Sequence, residues 1–179
     1  MVNKMRRSTW SYSCMLIALA LSLIAISCGG SPSTGSTGGT PGSVFISPKT
    51  QNAKAGSQIK VSVEVAPGDW GVSGAEIRLS FDPQKLEAIS VKPGAALGAN
   101  PIQGLSKIDN SAGTIVLAIA RQGETTSPGA KGALANIEFR AKTGASGTAR
   151  IELKGTALSD EIFQPIAGLI LDGADIIFR

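Results

Sequence analysis

The sequence predicts an all-β protein: an antiparallel two-sheet sandwich of the jelly-roll type, with about nine strands, after a signal peptide and a flexible linker. From residue 44 onward, apolar side chains recur at every second position in short segments. This is the period of a strand with one buried and one exposed face. Clusters of Gly, Pro, Asn and Asp separate the segments, as turns require. No stretch with helical period lasts beyond a turn or two, and this combination favours a sandwich.

The strands differ in how clearly they can be predicted. Alternation is plainest at residues 59–65, 77–81, 135–141 and 149–153, and by its parity Phe81 belongs to the core. Two further segments, 86–91 and 166–178, also predict strands. Residues 114–120 (TIVLAIA) are apolar on both faces, which predicts a central strand or one whose outer face is covered. Residues 94–110 are the least regular and predict a long loop, with room for one short edge strand.

The composition argues against an enzyme, a metal site and a cofactor. The 179 residues include no His, which removes the commonest general base and the commonest zinc ligand. The two cysteines, Cys14 and Cys28, both precede the predicted domain, so neither a disulfide framework nor a four-cysteine site is expected. The loop carboxylates Glu124, Asp160 and Glu161 have no evident catalytic partner. The Asp residues near turns lack the spacing of a calcium loop.

The N-terminus has the organisation of a secretory signal. Lys4, Arg6 and Arg7 precede the apolar run 15–26, which is short for a membrane span of roughly 20 residues. The residues just before Cys28 (AIS) resemble the bacterial lipobox, in which the cysteine is acylated and becomes the mature N-terminus. We therefore expect residues 1–27 to be a lipoprotein-type signal peptide and Cys28 to carry a lipid. The alternative is an ordinary signal peptide with a chance cysteine.

Residues 28–43 then form the predicted linker, and residues 44–179 the predicted domain. The linker is composed almost wholly of Gly, Ser, Thr and Pro, so it is expected to act as a flexible tether with a mean reach near ~20 Å. Removal of the signal takes three cations from 17, leaving 14 against 13 acids, a net charge of about +1. Such a charge gives no electrostatic reason to expect nucleic-acid binding. The expected location is extracytoplasmic, at the cell surface or outer membrane.

Several short motifs follow one another along the predicted domain. They include a strand that ends in an aromatic-Asp-Pro turn, a strand that ends in Pro-Gly, and a turn that leads into the central strand: residues 74–83 (GAEIRLSFDP), 86–94 (LEAISVKPG), 109–116 (DNSAGTIV) and 132–139 (GALANIEF). In this order they resemble the cohesin domain, a sandwich module that binds dockerins in cellulosomes and related assemblies. The resemblance spans residues 44–179.

The resemblance implies a partner-binding face on two strands and the rim beside them. Its residues are Gly74, Glu76 and Arg78 on the first strand, Val116 and Ala118 on the second, and Arg121, Gln122 and Gly123 at the rim. Many cohesins carry an Asn where Gly74 falls and an acidic residue where Arg121 falls. Strict alternation puts Arg121 on the opposite face from Val116, so it reaches the rim only where the strand ends or bulges. The small apolar strip would be lost if segment 94–110 covered it.

Together these observations predict a lipid-anchored, cell-surface, cohesin-like module that docks a dockerin-type or other helical protein, with polysaccharide-degrading assemblies as one setting. The alternative is a carbohydrate-binding module with polysaccharide as its ligand. Sugar rings stack on exposed aromatic side chains, and Trp70, in a turn, is the one good candidate. Trp70 could equally plug the end of the sandwich.

Overall fold

The computed structural model describes residues 42–68, 70–123 and 131–179, and in these ranges it has twelve strands and no helix. Accordingly, these ranges offer no helix of the length and hydropathy that a membrane span requires. The predicted signal peptide, Cys28 and most of the predicted linker lie outside the described residues, as does Glu124. The first strand begins at Ser43, one residue before the predicted start of the domain.

The strands form two sheets. In chain order they are β1 (Ser43–Ser47), β2 (Thr50–Ala53), β3 (Gln58–Ala66), β4 (Gly74–Phe81), β5 (Leu86–Pro93), β6 (Ile102–Asp109), β7 (Thr114–Ala120), β8 (Gly132–Ala141), β9 (Gly147–Leu153), β10 (Ala157–Ser159), β11 (Ile170–Asp172) and β12 (Ala174–Phe178). The five-stranded sheet has the order β11-β1-β3-β8-β5. The seven-stranded sheet has the order β2-β12-β9-β4-β7-β6, and β10 pairs with β4 beside it.

The hydrophobic core lies between the two sheets and is built from the inward positions of the alternating segments. Phe81 of β4 and Phe139 of β8 meet across it edge to face, with ring centroids 5.2 Å apart. The core position predicted for Phe81 is therefore confirmed. Burial of each ring stabilises the fold by about 1.5–3 kcal/mol, and the aromatic pairing adds about 0.5–1.5 kcal/mol.

The predicted all-β sandwich is confirmed, but its sheets are mixed and contain more strands than the nine expected. Two pairs, β1 with β11 and β2 with β12, run parallel. Two of the extra strands arise because two long segments are each divided between the sheets, and the three-residue β10 adds a third. Pro48, which has no N–H for a ladder, separates β1 from β2. Gly173 separates β11 from β12, and a side chain there would come within 2.3 Å of the Ile151 carbonyl oxygen.

The segment 94–110, predicted as a long loop with room for one short edge strand, is more regular than expected. It contains the eight-residue strand β6, which lies at the edge of the seven-stranded sheet and pairs with β7. The register shifts between Gln103 and Ser106. Most residues of β6 are exposed, so burial does not require apolar side chains at every second position. The extended conformation of β6 comes from its hydrogen bonds to β7 and not from burial of one face.

Candidate partner-binding face

The outer surface of the seven-stranded sheet brings together the two strands singled out by the sequence. In the register of β4 and β7, Glu76 lies opposite Ala118 and Arg78 lies opposite Val116. Directly opposed side chains on one face of a sheet are about 4.5–5.5 Å apart at Cβ. These four residues therefore form one continuous patch, which we call the docking face.

The middle of the docking face is apolar and flat. Val116, Ala118 and Ala120 project outward from β7 and are half-buried. Segment 94–110 does not cover them, because β6 lies beside β7 as an edge strand. Gly104 of β6 lies next to the strip, since a Cβ there would be in van der Waals contact with the Ala118 Cβ at 3.9 Å. Ile102, opposite Ala120, is 55% exposed and extends the apolar surface.

The charged part of the docking face is already paired. The Nε of Arg78 donates a hydrogen bond to Oε1 of Glu76 at 2.7 Å. Both side chains are substantially exposed, and such surface pairs contribute only about 0–1 kcal/mol. A charged group on a partner could therefore displace either member at little cost, so the pair can serve recognition without being needed for stability.

Thr156 bonds to the backbone of β4 at Arg78, a contact that could not be predicted from the sequence. Its hydroxyl accepts a hydrogen bond from the Arg78 N–H and donates one to the Arg78 carbonyl, both at 3.1 Å. Thr156 is buried and lies between β9 and β10, which pair with different parts of β4. Its side chain thus bonds both backbone groups of Arg78 where neither β9 nor β10 pairs with β4.

Gly74, the third predicted residue of β4, is buried under Ser159 of β10. A Cβ at Gly74 would lie 2.7 Å from the Ser159 Oγ. Ser159 therefore presents the surface at this position, and any larger residue at position 74 would have to displace its hydroxyl.

The rim residues follow the end of β7, as the rim position requires. The strand ends at Ala120, and the Arg121 N–H donates a 2.7 Å hydrogen bond to the Ser73 carbonyl. Gln122 and Gly123 are exposed beyond it. Gly123 has φ = 72°, a left-handed conformation that glycine adopts readily.

Trp70 lies at one end of the sandwich and is half-buried against the core. It borders a shallow recess of about 280 Å³ together with Gly71, Asp160, Glu161 and Ile162. Because its ring packs against the core, only part of it is available as a platform for a sugar.

Reasoning from the sequence missed one exposed aromatic residue, Phe163, which is 66% exposed in the loop after β10. Its backbone φ of 61° is left-handed, and it has the only positive φ outside glycine in the described ranges. The available signal was an Ile-Phe pair between two acids and a Pro, in a segment without alternation. Among the described residues, no three side chains of metal-ligating type come together.

The fold and the docking face define a β-sandwich whose candidate site is a sheet surface and not a cleft. A family model for the cohesin domain matches residues 44–170. This chain belongs to the cohesin domain family. No curated protein matches it in sequence.

Solved structures of cohesins share the fold at low sequence identity. The sixth cohesin of scaffoldin B from Acetivibrio cellulolyticus, solved in complex with a mutant Cel5 dockerin, is 22% identical with a TM-score of 0.63, over 78% of this chain and 100% of that one. A non-cellulosomal cohesin from the archaeon Archaeoglobus fulgidus is 19% identical with a TM-score of 0.63, over 78% and 91%. A type II cohesin from the A. cellulolyticus cellulosome is 17% identical with a TM-score of 0.65, over 76% and 95%.

Proposed function

We propose that this chain is a non-catalytic adaptor that docks a dockerin-type or other helical protein on its docking face. The observation that carries the proposal is the uncovered apolar strip of Val116, Ala118 and Ala120, bordered by the Glu76–Arg78 pair. Membership of the cohesin family supports it, as does the presence of a dockerin in the solved complex of the A. cellulolyticus scaffoldin B cohesin.

The shape of the strip suits a helix. Small side chains on a flat sheet let a helix approach closely along its apolar stripe, which recurs at three- and four-residue spacing. An apolar centre with charges at its border is the usual organisation of a protein interface. A stable complex buries about 800 Å² on each partner, so the docked partner would also contact β6 and β10 on either side of the strip.

The proposal includes a membrane anchor on the outer side of the cell. Cys28 would carry the lipid once residues 1–27 are removed, and residues 28–43 would act as the tether. A lipid with a tether of ~20 Å mean reach leaves the domain free to meet a partner outside the membrane. The protein would then hold that partner at the cell surface or outer membrane.

The test uses a displayed library of dockerins, built on the Cel5 dockerin with its exposed helix positions randomised. Binders are selected on the full chain in mild detergent and then measured against two variants. Ala118→Arg puts a long charged side chain in the centre of the strip and should weaken binding at least 100-fold, about 2.7 kcal/mol. Asn136→Arg is the matched control, because Asn136 is exposed on β8 of the opposite sheet. Equal binding to wild type and Ala118→Arg would contradict the proposed face.

A further inference from the structure

The loop after β10 is a closed turn built around Asp160. Oδ1 of Asp160 accepts hydrogen bonds from the N–H groups of Ile162 at 3.0 Å and Gln164 at 2.8 Å. Its carbonyl accepts from the Phe163 N–H at 3.0 Å, and its own N–H donates to the Gln164 carbonyl at 2.9 Å. These four hydrogen bonds join Asp160 to Ile162, Phe163 and Gln164 and define the turn.

This conformation holds the Phe163 ring outward at an energetic cost. A left-handed φ is unfavourable for any residue with a Cβ, and exposing an aromatic ring forfeits its hydrophobic burial. Local strain is found where the surrounding structure imposes it, commonly at binding sites. Phe163 is therefore a preorganised aromatic contact, of the kind that loses little conformational entropy when a partner binds.

The loop is also anchored to Ser73, the residue just before β4. Ser73, fully buried just before β4, has its hydroxyl within hydrogen-bonding distance of the Asp160 carbonyl and 3.3 Å from the Ser159 Oγ. Its N–H donates to the Ser159 carbonyl at 2.9 Å. On the other side of the loop, Pro165 forms a bridge with Ser159. Phe163 therefore keeps a constant position relative to β4.

An open groove of about 330 Å³ separates Phe163 from the sheet. Phe163 and Pro165 form one side, and Ala120 and Ala157 lie on the sheet side. A cavity of ~150 Å³ already accommodates benzene, so the groove has room for a branched aliphatic side chain. Ala120 lines the groove and is also a member of the apolar strip, so the groove continues directly into the strip.

The groove has a single carboxylate on its lining, that of Glu76. Arg78 contacts Oε1 of this carboxylate through Nε at 2.7 Å and Nη2 at 2.5 Å, and the carboxylate keeps lone pairs for a second cationic donor. A basic group on the partner would therefore find its counter-charge next to the groove, whereas an acidic group there would meet like charge.

We propose that this groove selects the helical partner. It takes an Ile, Leu or Val side chain from the docked helix, and a Lys or Arg three or four residues away binds Glu76. This inference rests on the proposed function and adds the chemistry of the partner's helix. Phe163 is the specificity residue, because it supplies the wall that the flat strip lacks.

The experiment compares selections from the same dockerin library on wild type and on Phe163→Gly. Glycine adopts φ = 61° without strain, so the variant should keep or raise its unfolding midpoint while losing the wall. We expect clones selected on wild type to carry an aliphatic residue and a basic residue three or four positions away from it. These clones should bind Phe163→Gly at least 10-fold more weakly than they bind wild type. Selection on Phe163→Gly should lose the aliphatic preference. Selection on Glu76→Lys should replace the basic residue by an acidic one.

The matched control is Ile170→Gly, since Ile170 is 57% exposed on β11 of the other sheet. The Ile170→Gly variant should bind the selected clones with the same affinity as wild type. Equal affinity for wild type and Phe163→Gly, with binding lost in Ala118→Arg, would overturn this inference and leave the proposed function standing. Binding that survives Ala118→Arg, or a library that yields no binder, would overturn the proposed function and this inference with it.

Discussion

The side-chain amide of Asn110 bonds both backbone groups of Ala88. Its Oδ1 accepts from the Ala88 N–H at 2.7 Å, and its Nδ2 donates to the Ala88 carbonyl at 3.0 Å. Asn110 lies in the turn between β6 and β7, whereas Ala88 lies in β5, the edge strand of the other sheet. The amide therefore acts as a one-residue ladder partner for an edge strand and joins the two sheets next to the docking face.

Replacement of Asn110 by Ala should lower the free energy of unfolding by about 1–3 kcal/mol, because it leaves a partly buried donor and acceptor without partners. Urea unfolding measures this loss. Ser111→Ala is the control in the same turn, since Ser111 is exposed, and should stay within about 0.5 kcal/mol of wild type. If Asn110→Ala proved as stable as Ser111→Ala, the hydrogen bonds between Asn110 and Ala88 would not contribute to stability.

Gly113 in the β6–β7 turn is expected to tolerate substitution less well than Gly56 in the β2–β3 turn. It has φ = 65°, and a Cβ there would lie 2.3 Å from the Phe81 carbonyl oxygen. Gly56 has φ = 78° but open space around it. Gly56→Ala should therefore cost only the left-handed conformation, about 1–2 kcal/mol. Gly113→Ala adds a backbone clash and should cost more than about 4 kcal/mol. Thermal unfolding of both variants tests this, and equal losses would contradict the clash.

Acid should destabilise the domain through carboxyl groups whose pKa is lowered by folding. The N–H groups of Ala112 and Ser111 donate to Asp109 and lower its pKa below 3.8. The Lys49 ammonium, 2.6 Å away, does the same for the pKa of Asp172. Because both values are depressed in the folded state, the stability they contribute is present above the unfolded pKa near 3.8 and is lost as pH falls through the folded pKa.

Asp109→Asn isolates one of these groups, because Asn keeps the acceptor oxygen of the turn and cannot ionise. The variant should show a shallower loss of stability than wild type as pH falls below about 4, with the difference largest at neutral pH. Urea midpoints measured from pH 2 to pH 7 give both curves. Parallel curves for the two proteins would show that Asp109 does not contribute to the acid transition.

Cys28→Ala tests the proposed anchor. The full chain expressed in a bacterial host should be recovered in the membrane fraction with a lipid-sized mass increase on Cys28, and Cys28→Ala should lose both. Cys14→Ala is the matched control, because Cys14 lies within the segment expected to be removed, and it should behave as wild type. Membrane recovery of Cys28→Ala equal to that of wild type would exclude Cys28 as the anchor.

The strands that could be predicted from the sequence are those that bury one face and expose the other. In β3 and β4 the apolar residues alternate because every second side chain enters the core, and this leaves a period in the sequence. Residues of β6 are nearly all exposed, so burial imposed no period, and the sequence predicted only a long loop with room for one short edge strand. Likewise, the parallel pairing of β1 with β11 joins segments more than 120 residues apart, and nothing local specifies it.

The residues of the docking face could likewise be predicted only in part. The outward positions of Glu76, Arg78, Val116 and Ala118 follow from parity along each strand, and a resemblance in sequence was enough to place them on one surface. Phe163 could not be assigned in this way, because its position beside Ala120 depends on the turn around Asp160 and on the anchor at Ser73. Thr156 and Ser159 reach β4 only through the pairing of β10.

The sequence by itself therefore determined the all-β class, the core parity of the main strands and the residues that face outward, because local periodicity and turn chemistry are written in neighbouring positions. The tertiary structure decided which strands pair, where β6 lies and which side chains border the groove at Phe163. The physical reason is that hydrophobic burial determines only which face of a strand points into the core. The partner of each strand is chosen by backbone hydrogen bonds between distant segments, and every residue type carries the same backbone groups except proline.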